Sequence, residues 1–258
     1  MDNDSLDAKS GERILFSLGK LPLLCFYART RGEAFVLSWF HRLAGIALVL
    51  FLWMHLLTSF TTPALYGSSI GLLALAIVLI YHSLNGGRLI LYEVFGVRND
   101  GSLIRWVWGL SLLYVLFLGL LMVIGNQEIS AILFWAVIFV SGLILCFGVA
   151  SRIWRTEHAM VWKLQRITGA FLLILAPAHI VFMHLTLSVG HQGNVVIMRM
   201  QEIFIKGVDV ALLVGILYHG GYGLISVLGD YLSSRTLRIG AALVITLFMA
   251  LCALLRFS

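Results

Sequence analysis

The sequence predicts an all-α, polytopic membrane bundle of about seven transmembrane helices, built as two three-helix repeats joined by one connecting span. Three observations predict it: a composition that is 60% hydrophobic and only 12% charged over 258 residues, seven apolar runs of spanning length, and a set of residue spacings that occurs twice. An ordinary soluble domain carries about 25% charged residues, so a soluble globular protein, a disordered tail and a nucleic-acid binder are excluded. The formal charge of +6 does not restore a nucleic-acid reading, because the 18 Lys and Arg are scattered through an apolar chain and form no basic patch on a polar domain. Cys25, Cys146 and Cys252 lie far apart with no CxxC, so neither a disulfide framework nor a cysteine-bound metal or iron–sulfur centre is expected.

A helix crosses a hydrocarbon core of ~30 Å with about 20 mostly apolar residues. Such runs cover roughly 37–61, 69–94, 103–125, 129–150, 164–189, 208–228 and 237–255. The outer loop between the third and fourth runs is little more than Asn126, Gln127 and Glu128. The acidic, polar start of the chain does not resemble a signal peptide, and the short apolar stretch that follows it fits an interfacial helix. The expected organisation is an N-terminal segment (1–36), a first three-helix unit (37–128), a connecting span (129–150) and a second three-helix unit (151–258).

Lys and Arg near helix ends are retained on the cytoplasmic side. With the N-terminus inside, fifteen of the eighteen fall there, and only Arg199, Lys206 and Arg256 remain outside. That split predicts seven spans in a cytoplasmic or inner membrane, with the C-terminus outside.

The first and fifth spans share an aromatic-flanked opening, SWFHRLAG and WKLQRITG, followed by a histidine ten residues after the glycine: Gly45 to His55 and Gly169 to His179. The second and sixth share Tyr-His, a glycine four residues on (Gly86, Gly223) and an acid eleven residues on (His82 to Glu93, His219 to Asp230). A three-helix unit that starts inside ends outside. A second unit of the same orientation therefore needs one extra crossing, which the fourth span supplies.

Ionisable side chains in a membrane span are costly and usually face a partner or a cofactor. A neutral imidazole is a metal ligand, and four histidines at repeated positions, His55, His82, His179 and His219, point to metal binding. Depth pairs His55 with His179 in the outer half and His82 with His219 in the inner half. Opposed imidazoles at one depth suit a six-coordinate haem iron, and two such pairs would hold two haems b in a four-helix core. The glycines fit the same picture, since a flat macrocycle needs a helix face without side chains. His41, Arg42, Arg88, Trp162 and Arg166 are candidates for haem propionates, which need cationic or hydrogen-bonding partners. His158, His184 and His191 carry weaker signals.

These motifs, with the His-x2-Asn-Gly-x-Arg stretch at His82 and the Asp230-Tyr231 pair after His219, resemble the membrane-anchor cytochrome b subunits of succinate:quinone oxidoreductases, the succinate dehydrogenases and quinol:fumarate reductases. The first unit looks like the larger anchor subunit and the second like the smaller, so the chain looks like a fusion of the two. The resemblance implies the same histidine pairing, with His82 and His219 nearer the iron–sulfur subunit. It also implies a cytoplasmic-side quinone site built partly from Ser38, Arg42 and Tyr231. The partners it implies are an iron–sulfur subunit and a flavoprotein subunit on the cytoplasmic face, since this chain has no dinucleotide fingerprint of its own. Electrons would pass between the iron–sulfur subunit and membrane quinone, and succinate or fumarate chemistry would belong to the flavoprotein. One departure is Leu217, where the single-chain di-haem fumarate reductases carry a glutamate. No acid lies deep in any span, which argues against a haem-coupled proton path. The competing readings are a cytochrome b anchor of a hydrogenase or formate dehydrogenase, and a small proton-coupled transporter, whose internal repeats are often inverted.

Overall fold

The computed structural model describes residues 33–58, 69–96, 131–180 and 203–257. Six helices cover nearly all of them: α1 (Glu33–Thr58), α2 (Ser69–Phe95), α3 (Ala131–Ile153), α4 (Met160–Ile180), α5 (Ile203–Tyr231) and α6 (Arg235–Phe257). No strand occurs among the described residues. Helices are the natural choice for a chain this apolar, because in lipid every backbone N–H and C=O has to find its partner within the segment.

Five of the six helices, all but α4, are long and apolar enough to cross a membrane. In α4 the polar residues Lys163, Gln165 and Arg166 occupy the opening turns, and the last part of the expected span, 181–189, lies outside the described residues. The expected third span at 103–125, the N-terminal segment up to residue 32, His184 and His191 also lie outside them. Where helices are described, several start earlier than the apolar runs: α1 at Glu33, α4 at Met160 and α5 at Ile203. The apolar runs mark the segments rich enough in hydrophobic residues to span, whereas the backbone ladder continues through the polar and charged residues beside them.

Helix ends are set locally. α2 stops at Gly96, whose φ of 69° is a left-handed conformation that glycine adopts without a Cβ penalty. Between α3 and α4, the buried Lys163 donates from Nζ to Trp154 O at 2.8 Å and Thr156 O at 2.6 Å. This satisfies carbonyls of the turn that follows α3 and keeps a buried ammonium hydrogen-bonded. Three residues join α5 to α6, so the two are antiparallel neighbours.

Helices α1, α2, α4 and α5 form a closed ring. α1 packs on α2 and α5, and α4 packs on the same two. The diagonals of the ring are therefore α1 with α4 and α2 with α5. α3 lies against α4 and touches α2 and α5, while α6 lies against α5 and touches α1. Three apolar clusters hold this together. Trp135, Phe171, Leu175 and Val208 join α3, α4 and α5. Leu213, Leu217 and Met249 join α5 to α6 and draw in Val49 and Leu52 of α1. Val149, Ile153 and Ala170, with Ile90 and Val94 against them, join α3 and α4 to α2. The outward faces are just as apolar: Phe147 is 76% exposed and Leu247 is 69% exposed. On a soluble protein such patches would be aggregation sites, but lipid tails solvate them as well as leucine does.

Candidate functional site

The ring is lined along its length by the repeated residues, and many of the contacts also occur twice. Within the first pair of helices, Tyr81 donates to Leu37 O at 2.9 Å and His82 Nδ1 lies 3.2 Å from His41 O. Within the second, Tyr218 donates to Val161 O at 3.0 Å and His219 Nδ1 lies 3.3 Å from Gln165 O. Leu37 and His41 stand to Gly45 as Val161 and Gln165 stand to Gly169.

A carbonyl oxygen only accepts, so Nδ1 carries the proton in both His82 and His219. The lone pair is thereby left on Nε2, the arrangement in which a histidine ligates a metal while its second ring nitrogen is tied to a carbonyl. The glycines make room for these rings. A Cβ on Gly45 would stand 3.0 Å from His82 Cε1, and one on Gly169 would stand 3.1 Å from His219 Cε1. The side-chain-free face expected for a macrocycle is thus taken at these two positions by the neighbouring helix's imidazole. Gly86 faces His41 in the first half, and Gly223 faces Gln165 in the second.

Across the diagonals the structure brings together the two histidine pairs. His82 and His219 have ring centroids 6.2 Å apart at 90°, and His55 and His179 have centroids 6.5 Å apart at 81°. Two imidazoles bound on opposite sides of one metal at about 2 Å per bond put their ring centroids about 6 Å apart, so both pairs fit the donor set and spacing of an axially ligated iron. Gly45 and Gly169 mark the level of the first pair, ten residues before His55 and His179, which separates the two levels by about 15 Å along the helices. Among the described residues, no group of three or more His, Cys, Asp or Glu converges on a point; an axial pair asks for only two. Trp135, 1% exposed, flanks His179 with ring centroids 6.4 Å apart, a neighbour that no sequence spacing indicated.

Beside His82 lies a polar cluster that, among the described residues, occurs in the first half alone. His41 stacks on His82 with centroids 4.0 Å apart and planes within 6°. Arg88 and Asn85 are 6% and 3% exposed, and Arg88 Nε donates to Asn85 Oδ1 at 2.9 Å. His41 Nδ1 and Asn85 Nδ2 are buried without a hydrogen-bond partner among the described residues. Such orphaned atoms around a buried guanidinium suit an anionic or acceptor group from a ligand. Asn85 is the asparagine of the His-x2-Asn-Gly-x-Arg stretch, one turn from His82, and the motif by itself assigns it no partner.

The other expected cationic residues go elsewhere. Arg42 Nη2 meets Asp230 Oδ2 at 2.8 Å, joining α1 to α5. Arg166 meets Glu93 Oε2 with Nη2 at 2.5 Å and Nε at 2.6 Å, joining α4 to α2, and its guanidinium lies 4.9 Å from the centre of the Trp162 ring. Trp162 in turn stacks near His158, at 4.2 Å. Each arginine thus takes the acid of the opposite half. The acids stood out in the sequence by their spacing, but nothing in a linear spacing says which arginine they meet. Ser38 is half-buried one turn before Arg42, and Tyr231 follows Asp230 and is 62% exposed; no hydrogen bond joins either of them to Arg42.

Residues 147–255 match the model of a family described as succinate dehydrogenase/fumarate reductase transmembrane subunit. The matched part, the end of α3 with α4, α5 and α6, is thus similar to that family, in line with its resemblance to the membrane-anchor cytochrome b subunits. The first unit lies outside the matched residues. Neither the curated proteins nor the solved structures give a match.

Proposed function

We propose that this chain is the electron-transferring membrane anchor of a succinate dehydrogenase/fumarate reductase complex, with both anchor units in one polypeptide. The observation that carries the proposal is the diagonal pairing of four intramembrane histidines at two levels, with ring spacings suited to a bis-imidazole iron. The family match supports the complex, and it favours this reading over a hydrogenase-type cytochrome or a transporter. Bound haem b supplies one-electron carriage between an iron–sulfur partner and membrane quinone. His82 and His219 would hold one haem and His55 and His179 the other.

The protein's own residues then have definite tasks. His41 O and Gln165 O fix the rotation and tautomer of the inner ligands, so each imidazole presents Nε2. His41, Asn85 and Arg88 would take a haem propionate, whose charge offsets that of the buried guanidinium. Arg42 would donate to a quinone carbonyl, with the hydroxyls of Ser38 and Tyr231 as further donors, and its ion pair with Asp230 supports this role by holding the guanidinium. In the orientation that the charge split predicts, this end faces the cytoplasm, where an iron–sulfur subunit and a flavoprotein subunit would dock. A reduced-minus-oxidised spectrum with a haem-to-protein ratio on the purified chain tests the reading. Two b-type haems per chain are expected; no b-type signal would reject it.

A further inference from the structure

The repeat predicts a second copy of whatever Arg42 and Asp230 form, because Arg166 and Glu93 hold the equivalent positions in the other halves of the ring. The two copies have diverged. At the position of Ser38 the second half has Trp162, and at the position of Tyr231 the first half has Val94. A guanidinium carries five N–H donors. The contact with Asp230 engages one nitrogen of Arg42, and the two side chains stay 41% and 52% exposed. Arg166 spends both Nε and Nη2 on Glu93, has Trp162 over its face, and the pair's side chains are 22% and 30% exposed. Trp162 and Val94 also pack against the cluster in which Val149 and Ile153 of α3 meet Ala170 of α4. This connecting helix has no counterpart in the repeat. It lies against α4 and reaches the α2–α4 seam at its Val149–Ile153 end, whereas α6, beside the α1–α5 seam, has its apolar contacts with α1 at Val49, Leu52 and Leu56, beyond Arg42 toward the His55 end.

We infer that the duplication created two equivalent headgroup sites and that Trp162, backed by α3, fills one of them, so that the chain binds a single quinone, at Arg42. Trp162 is on this view the residue that sets site number. The inference rests on the quinone assignment proposed above, and the experiment separates the two.

The full chain in lipid nanodiscs is titrated calorimetrically with a short-chain benzoquinone and a short-chain naphthoquinone. Wild type should bind one molecule, and Arg42→Gln should lose it by at least tenfold in affinity. Trp162→Ser should bind two, the second lost again in Trp162→Ser/Arg166→Gln. A folded, monodisperse Trp162→Ser protein that still binds one, or a wild type that binds two, overturns the inference while leaving quinone binding intact. No binding of either probe to wild type overturns the quinone assignment itself. Because removing a packed tryptophan can impair folding, wild type is also photolabelled with an azidoquinone. Label on peptides holding Ser38, Arg42 or Tyr231 alone is expected, and label on Trp162 or Val94 would overturn the inference.

Discussion

Arg42 of the first half and Asp230 of the second meet at 2.8 Å across the α1–α5 seam, and the mirrored pair, Arg166 with Glu93, closes the opposite seam. Hydrogen bonds from Tyr81, His82, Tyr218 and His219 to backbone carbonyls tie helices within a half, while the ion pairs tie the halves to one another. The two kinds of contact therefore alternate around the ring, and the histidine pairs span its diagonals.

These ion pairs should differ in weight. Glu93→Gln is expected to lower stability by about 1 kcal/mol and Asp230→Asn by less, since the latter pair is the more exposed and solvent screens it more. Thermal unfolding in detergent, followed by loss of helical circular dichroism, checks the order. Equal effects would mean that exposure does not govern them.

The histidine pairing makes a sharp spectral prediction. His55→Ala or His179→Ala should leave one haem per chain with an unchanged potential, and His82→Ala or His219→Ala should leave the other. Redox titration of the difference spectrum distinguishes them. Loss of the same component from His55→Ala and His82→Ala would contradict the diagonal arrangement.

Gly45→Ala and Gly169→Ala place a Cβ about 3 Å from an imidazole carbon. Each should displace a ligand ring at a cost of about 1–3 kcal/mol, the range for overpacking a filled site, and speed haem loss on heating. Gly148→Ala and Gly207→Ala, where a Cβ meets nothing within 4 Å, should do neither. Matching haem-release temperatures for all four would remove the close-approach explanation.

Arg88→Gln removes a buried positive charge beside His82. A nearby cation favours the reduced, less positive iron, so the midpoint potential of the His82/His219 haem should fall, by something on the order of tens of millivolts. The His55/His179 potential should stay where it is, because its level is about 15 Å away. A rise in the first potential, or equal shifts in both, would place Arg88 elsewhere in the mechanism.

Much of this molecule was legible before any helix was placed. Apolar run length marks the spans, and the doubled spacings single out His55, His82, His179 and His219 without reference to contacts. Depth pairs them, because rise along a helix is constant. The destination of the charges was not legible. Arg42, Arg88 and Arg166 looked alike as cations near one end of the bundle, yet one is buried on Asn85 and two reach acids of the opposite half. Trp135 carried no repeated spacing and so gave no signal, and Asn85 stood in the motif after His82 with nothing to mark it as the partner of Arg88.

The sequence by itself determined the membrane class, the helical character of the described segments and which four histidines recur at repeated positions, since these follow from composition and from distances along single helices. Only the tertiary structure decided that α1 faces α4 and α2 faces α5 across the ring, that imidazoles fill the space over Gly45 and Gly169, and that the arginines cross between halves. The reason is physical. Spacing along a helix is set by covalent geometry, whereas the partner of a side chain depends on which helices the apolar clusters make adjacent, and that is settled only when the ring closes.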